Sequence, residues 1–273
     1  MTTTFSQSSL HDYSVCARRF ELKYIEKLAW PALVAEPATR FEALMKRGAD
    51  FHQMIHQHHL GVPADAITAR IASAEVGAWW RAYLQSPYAR DGAIGGQRHP
   101  EVMLQANRYG GRLIAKYDLL IFTDDDEALI VDWKTGQNVP SADELRGRWQ
   151  SKLYPFLLVE AGATLAGRRI VPDAVRMVYW FANAPQDAIT LPYDAAQHAA
   201  IADELAELVP RINAQSTFDM TTDTRHCRLC VYRSLCDRGI SAGDASALTD
   251  DAPPFTEEDD LQIDMDQIIE IEF

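Results

Sequence analysis

Long hydrophobic runs and internal repeats are both absent from this 273-residue sequence. No apolar stretch reaches the roughly 18 residues that a membrane-spanning helix needs. The opening Met1-Thr2-Thr3-Thr4 lacks the pattern of a signal peptide, and no segment recurs at the period of a solenoid. We therefore expect a soluble, cytoplasmic protein that works without a membrane partner and is not a repeat protein.

Basic residues are missing from the end of the chain. No Lys or Arg follows Arg238, whereas this last segment carries eleven Asp and Glu residues. The formal net charge of -13 falls to -2 when these eleven acids are left out. A nearly neutral body is compatible with a local basic groove for nucleic acid. We predict a domain over residues 1–240, which holds enough apolar residues for a sizeable core, and an acidic tail over 241–273.

The tail has two parts. Its first half contains Pro253-Pro254 among many acids, a composition that predicts disorder. Its end alternates isoleucine with acid and closes on Phe273, which suits a short docking peptide for a protein partner. Two alternatives stay open: the tail lies across a basic groove of its own domain as a DNA mimic, or it only solvates the protein.

Cysteines are few, and their positions are uneven. Cys16 stands alone near the start, and Cys227, Cys230 and Cys236 are clustered near the end. Clustered thiols in a cytoplasmic chain indicate metal ligands before disulfides. Four thiolates suit a structural zinc ion or an iron–sulfur cluster equally well, and either would join the two ends of the chain. The alternative is a set of buried or incidental thiols.

Two neighbouring apolar segments predict a β-hairpin. Residues 113–122 and 128–134 are rich in strand-forming residues, and the turn between them is polar. Side chains alternate along a strand, so Asp132 and Lys134 share a face and Trp133 points to the other. Charged side chains at the end of a buried strand cost free energy, so their presence there suggests a functional role. The alternative is an ordinary surface salt bridge.

The hairpin acids suggest a specific chemistry. Asp118 and Asp132 lie on neighbouring strands, and two carboxylates brought close together favour a divalent cation. Lys134 can then bind a phosphate oxygen or orient an attacking water. The sequence therefore predicts that Asp118, Asp132 and Lys134 meet at one place.

The remaining elements predict an α/β fold with a mixed sheet. Apolar periodicity predicts helices over 5–30, 41–60, 65–88, 144–161 and 194–213, and further strands over 101–106 and 174–182.

Four residues on these elements have two interpretations each. His52 faces inward on its helix, as a core histidine or a ligand. Glu101 begins a strand, where it is solvated or a third acid near the metal. Gln150 and Tyr154 are four apart on one helical face, where they serve packing or contact DNA through hydrogen bonds and stacking.

Taken together, these motifs resemble the RecB-like branch of the PD-(D/E)XK nuclease superfamily. More narrowly they resemble its iron–sulfur exonucleases, namely the CRISPR-associated RecB-like adaptation nucleases and the nuclease domain of the AddB subunit. The resemblance covers residues 5–238. It rests on Gly48-x3-His52, Asp118, Asp132-x-Lys134, Gln150-x3-Tyr154, the opening Ser8-Ser9-Leu10-x2-Tyr13-x2-Cys16-x2-Arg19-Phe20, and the one early and three late cysteines.

The resemblance implies a restriction-endonuclease-like core and hydrolysis of DNA phosphodiesters with Mg²⁺ or Mn²⁺. His52, Asp118 and Asp132 would hold the metal, with the Trp133 carbonyl as a further ligand. Lys134 would orient or activate the water.

The same resemblance extends to the remaining motifs. Gln150 and Tyr154 would position the DNA strand, and Cys16, Cys227, Cys230 and Cys236 would bind a [4Fe-4S] cluster. Asp132 stands where many relatives carry Glu, and Glu101 has no firm counterpart.

Three classes of function remain open at this point. The first is a DNA exonuclease, acting on single-stranded or frayed ends in CRISPR adaptation or in recombination and repair. The second is a catalytically idle DNA-binding or scaffold subunit. The third is a zinc-stapled protein unrelated to nucleases.

Overall fold

A mixed β-sheet forms the centre of the molecule. The computed structural model describes residues 3–28, 36–228 and 230–239. Within them, six strands are hydrogen-bonded into one sheet. They are β1 (Thr4–Phe5), β2 (Gln97–Arg108), β3 (Gly111–Phe122), β4 (Ala128–Lys134), β5 (Val175–Phe181) and β6 (Ile189–Pro192).

The strand order is β1-β3-β4-β5-β6, with β2 paired to β3. The β2–β3, β3–β4 and β5–β6 pairs are antiparallel, whereas β1–β3 and β4–β5 are parallel. The α/β class, the mixed sheet and the β3–β4 hairpin are therefore confirmed. A helical crossover between β4 and β5 makes their parallel pairing feasible.

Helices cover both faces of the sheet. They are α1 (Gln7–Val15), α2 (Ala17–Phe20), α3 (Glu36–His59), α4 (Ala64–Thr68), α5 (Ala74–Leu84), α6 (Ala142–Gly147), α7 (Trp149–Ala161), α8 (Ala163–Ala166) and α9 (Ala195–Ala214). None of the helices in the described part of the chain has the length and apolarity to cross a membrane.

The sheet separates two hydrophobic cores. The first contains buried side chains of α1, α7 and α9, and the second contains those of α3, α4 and α5. Alternate residues of β4 serve the two cores: Ala128 and Ile130 face the first, and Val131 and Trp133 face the second. This alternation is the reason why Asp132 and Lys134, which continue the first set, emerge on the side of α7.

The predicted N-terminal helix is divided at Cys16. Ser6 caps α1, with its side chain accepting a hydrogen bond from the Ser9 N–H. Cys16 is extended, with φ -160° and ψ 109°, and α2 and a π-helical turn over Glu21–Ile25 follow it. The Cys16 Sγ accepts a hydrogen bond from the Thr221 N–H at 3.4 Å, so the break directs this thiol toward the C-terminal part of the domain.

Two other predicted helices are divided as well. The helix expected over 65–88 is α4 and α5, and the one expected over 144–161 is α6 and α7. Ser73 and Arg148 are extended immediately before α5 and α7, with ψ of 127° and 144°. The break between α6 and α7 is the single residue Arg148, whereas residues 69–73 separate α4 from α5. Interruptions this short disturb hydrophobic periodicity little, which explains why the sequence did not show them.

The other predicted elements match in kind and differ at their ends. The helix expected over 41–60 begins earlier, at Glu36, and the strand expected over 101–106 is the longer β2. β1 and β6 were not predicted, because segments this short carry little pattern. The predictions for the acidic tail fall on residues 241–273, outside the described residues.

Candidate active site

The site lies where two paired strands separate. β3 and β4 pair from Phe122 with Ala128 to Leu119 with Val131. Asp118 is the next residue on β3, and beyond Val131 β4 continues to pair with β5. The Asp118 Oδ2 accepts a hydrogen bond from the Trp133 N–H at 2.9 Å. The carboxylate thus satisfies a backbone donor that the separating strand leaves without its usual partner.

Asp132, Lys134 and Gln150 form a closed triangle. The Lys134 Nζ lies 2.8 Å from Asp132 Oδ2 and donates to Gln150 Oε1 at 3.1 Å. The Gln150 Nε2 donates to Asp132 Oδ1 at 2.5 Å. Lys134 also lies over the Tyr179 ring, 5.6 Å from its centroid. Asp132 and Gln150 are buried. These contacts therefore hold the Asp132 carboxylate and the Lys134 ammonium in a fixed geometry.

Burial gives the charged groups of the site different proton affinities. Burial raises the pKa of Asp132 to about 6, with Asp118 adding to the rise and Lys134 opposing it. Burial alone would raise the pKa of Asp118 too, but His52 and the Trp133 N–H lower it overall. Burial alone would lower the pKa of Lys134, yet Asp132 raises it overall, so the ammonium stays charged.

His52 reaches the site from α3. Its Nε2 lies 3.0 Å from the Trp133 carbonyl oxygen, and because a carbonyl only accepts, this nitrogen carries the hydrogen. A neutral imidazole of this tautomer has its lone pair on Nδ1, which lies 3.4 Å from Asp118 Oδ1. The Trp133 carbonyl oxygen therefore accepts a hydrogen bond from His52, and its expected role as a metal ligand stays a prediction.

Glu101 is in a strained backbone conformation beside Asp118. It has φ of 51° in the middle of β2, between the pairs Pro100–Leu119 and Val102–Tyr117. Left-handed conformations are unfavourable for residues other than glycine, and such strain is often found at functional sites. Burial and then Asp118 raise the pKa of the Glu101 carboxyl group.

A candidate cation site joins three of these residues. His52, Glu101 and Asp118 each offer one ligand atom, and these atoms all lie within 4.8 Å of one another. A set of carboxylates and an imidazole fits Mn²⁺ or Mg²⁺. Asp132, expected in the same set, faces Lys134 and Gln150. The candidate cation site thus contains Glu101 beside His52 and Asp118, and the predicted role of Asp132 as a metal ligand stays a prediction. The only sequence signal for this was an acid at the start of a strand.

Tyr154 lies deeper than Gln150 on α7. Its ring is 3% exposed and packs against Tyr117, with the ring centroids 5.0 Å apart. The Tyr117 hydroxyl donates to the Tyr154 carbonyl oxygen at 2.9 Å. These contacts join α7 to β3 behind the site. The predicted role of Tyr154 in positioning DNA stays a prediction.

The four cysteines are free thiols in a second, separate group. Burial raises the pKa of Cys230 and of Cys236, and in both cases the Cys16 thiol adds to the rise. The Arg238 Nη1 donates to Cys227 Sγ at 3.0 Å. Cys16 is thus close enough to Cys230 and Cys236 to affect their ionisation.

Three arginines lie near these thiols. Arg18 and Arg238 lower the pKa of Cys236, and Arg19 lowers that of Cys230. Four thiolates on a metal carry net negative charge, and these guanidinium groups would compensate for it. The predicted binding of a metal by these four thiols stays a prediction.

An α/β sheet with two acids and a lysine at the point where its strands separate defines a nuclease-type site. The chain belongs to the PD-(D/E)XK nuclease superfamily, whose family model matches residues 4–237. This membership supports nuclease function. The alternative of a zinc-stapled protein unrelated to nucleases is wrong.

Two solved structures are similar to the chain. One is a candidate exonuclease from Eubacterium rectale, 11% identical, with 83% of this chain and 87% of that chain covered and a TM-score of 0.49. The other is the protein SSO0001, 14% identical, with 88% of each chain covered and a TM-score of 0.40. No curated protein matches the sequence.

Proposed function

We propose that this protein is a Mg²⁺- or Mn²⁺-dependent deoxyribonuclease that hydrolyses phosphodiester bonds from DNA ends, with single-stranded or frayed ends as its substrate. One observation carries the proposal. Lys134 is held by Asp132 and Gln150 beside Asp118, where β3 and β4 separate. A scaffold with an idle site has no need for this buried network, whose charges are costly to retain.

The residues of the chain have distinct roles in this proposal. A divalent cation would be held by His52 and Asp118, together with Glu101 or Asp132. It would polarise the phosphate and promote ionisation of a water. Lys134 stays protonated, so it acts as a cation that stabilises charge developing on the phosphate and orients the water. Gln150 fixes the direction of the Lys134 ammonium, and Asp118 holds the backbone of Trp133.

The direct test uses DNA labelled at either end, single-stranded or duplex, with Mn²⁺ or Mg²⁺. We expect the parent to remove nucleotides from an end and to leave closed circular DNA intact. Lys134→Met should abolish cleavage while DNA binding persists. Lys46→Met, a substitution of an exposed lysine paired with Asp50 on α3, is the matched control and should cleave as the parent does.

Each failure of this test has a separate meaning. Cleavage of closed circles would replace the exonuclease with an endonuclease. Full activity of Lys134→Met would remove the lysine from the mechanism. If folded parent protein binds DNA without cutting it under any of these conditions, the idle DNA-binding or scaffold role is correct instead.

For the second group of residues we propose a structural [4Fe-4S] cluster bound by Cys16, Cys227, Cys230 and Cys236. The mutual interaction of the four thiols and the nearby arginines support it. Protein purified without oxygen should be brown and contain about four iron atoms per chain. Cys16→Ser should lose most of the iron and unfold at a lower temperature. A colourless protein with one zinc ion would assign the site to zinc.

The wider context is proposed from the resemblance alone. We place the enzyme in the cytoplasm, in CRISPR adaptation or in recombination and repair, with residues 1–240 as the nuclease domain. The end of the acidic tail would dock a protein partner. Capture of DNA-processing proteins by the parent, and their loss on deletion of residues 267–273, tests the docking role.

A further inference from the structure

Lys116 places a second ammonium group next to the candidate cation site. It lies on β3 two residues before Asp118, in a segment where half-buried and buried residues alternate, so the two side chains share a face. The Lys116 Nζ is 2.6 Å from Glu101 Oε2. Glu101 is itself grouped with His52 and Asp118. Lys116 therefore contacts one of the proposed cation ligands, Glu101, on the side of the site away from Lys134.

The two lysines differ in their exposure to solvent. Lys134 contacts Asp132, Gln150 and the Tyr179 ring. Lys116 is more exposed, with 36% of its side chain accessible compared with 27% for Lys134 and 17% for Glu101. Partly exposed ion pairs contribute little to stability, and the flexible lysine stem allows the ammonium to change partners. Lys116 is thus suited to exchange Glu101 for an incoming anion.

Charge balance supports this exchange. The carboxylates of Glu101 and Asp118 lie close together in the candidate cation site, and both repel an approaching phosphate unless a cation compensates. A cation bound to Glu101 would weaken the hold of Glu101 on the Lys116 ammonium. The same ammonium would then face an approaching DNA backbone, which carries one negative charge per nucleotide.

We propose that Lys116 is a substrate-binding residue whose ammonium pairs with Glu101 in the DNA-free protein and contacts a backbone phosphate of bound DNA next to the one served by Lys134. The inference deepens the proposed function and rests on it. It predicts that the site grips two phosphates of one strand, on either side of Asp118. The competing explanation is that Lys116 only positions Glu101 for the metal.

The first measurement is binding of a fluorescent 12-nucleotide single strand by anisotropy, in Ca²⁺ and at several salt concentrations, with intact DNA verified on a gel. Lys116→Met should weaken binding several-fold and lower the slope of log Kd against log salt by about 0.7, the value for one phosphate contact on a single strand. Lys116→Arg should retain most of the slope. Lys46→Met should match the parent.

The second measurement separates substrate binding from positioning of Glu101. Mn²⁺ binding without DNA is followed by electron paramagnetic resonance. Glu101→Gln should weaken Mn²⁺ binding, whereas Lys116→Met should leave it unchanged or strengthen it, because a positive charge is removed. Weaker Mn²⁺ binding by Lys116→Met with an unchanged salt slope would overturn the proposal in favour of positioning.

The failure of this proposal is distinguishable from that of the nuclease. A parent that cleaves DNA, together with folded Lys116→Met that binds DNA with the parental slope, overturns the role of Lys116 alone. A parent that neither binds nor cleaves DNA overturns both. Thermal unfolding of each variant verifies that it is folded.

Discussion

At the scale of single residues, Gln150 determines how rigidly the Asp132 carboxylate and the Lys134 ammonium are held. It accepts a hydrogen bond from Lys134 and donates one to Asp132. Gln150→Leu has a similar volume and removes both bonds. Partners of this kind typically contribute about 10- to 100-fold to metal affinity or activity, and we expect a fall of that size in kcat with a smaller change in KM.

The pH profile gives a second, independent readout for Gln150→Leu. Loss of a donor to the Asp132 carboxylate raises the pKa of that group further above its present value of about 6. The acidic limb of the rate profile should therefore move to higher pH. Gln137→Leu, in the exposed loop after Lys134, is the control. A parental kcat and an unmoved limb in Gln150→Leu would show that the triangle has no role in turnover.

The backbone conformation of Glu101 lowers the stability of the fold, whereas its carboxylate serves the candidate cation site. Its φ of 51° costs a residue with a side chain about 1–2 kcal/mol, a cost that glycine does not have. We expect Glu101→Gly to be more stable to urea than Glu101→Gln by about 1 kcal/mol, although both lose the carboxylate and bind Mn²⁺ weakly. Equal unfolding free energies of the two variants would contradict the strain.

Residue patterns predicted the part of the site that depends on strand alternation. Asp132, Trp133 and Lys134 face as the two-residue period requires. The same patterns could not identify Glu101 and Lys116 as residues of the site. Their position depends on a left-handed residue in β2 and on the register of β2 with β3, and neither has a signature in one sequence.

At the scale of elements, the contact of α3 with α5 contains one buried histidine, His58, and one half-buried histidine, His59. His58 Nδ1 and His59 Nε2 lie 3.0 and 3.2 Å from the Tyr83 hydroxyl. Burial lowers the pKa of His59 to about 4 and also lowers that of His58. The end of α3 is thus packed around neutral imidazoles.

This packing predicts acid sensitivity. An unfolded His59 has a pKa near 6.5 and binds a proton that the folded residue resists. Its contribution to stability is complete above pH 6.5 and is lost as the pH falls toward 4. In urea unfolding between pH 7 and pH 4.5, His59→Gln should take up about one proton fewer on unfolding than the parent. His56→Gln, on the same helix, is the control, and identical pH dependences would refute the assignment.

Helices and strands with a long hydrophobic pattern were predicted well, whereas short breaks between helices were not. The β3–β4 hairpin and α9 were predicted within two residues of their ends. The breaks at Cys16 and Arg148 each depend on one extended residue, which hydrophobic periodicity does not show. The break before α5 covers only residues 69–73.

At the scale of the whole molecule, charge is divided between the domain and the acidic tail. The eleven acids after Arg238 account for most of the net charge of -13. Lys116 and Lys134 stand in the proposed DNA site, and a negative segment joined to the same domain would compete with DNA for them if it reached the site.

This division predicts the effect of removing the tail. Deletion of residues 244–273 should strengthen DNA binding at low salt several-fold. The difference should fade at high salt, since the Debye length falls to about 3 Å at 1 M. A full-length variant with the eleven acids replaced by Asn and Gln separates charge from sequence. If it binds DNA as the deletion does, charge alone is responsible. If it behaves as the parent, the apolar end of the tail acts through its sequence, and the docking role gains support. Unchanged binding in both variants would exclude competition with DNA and leave the tail free for a partner.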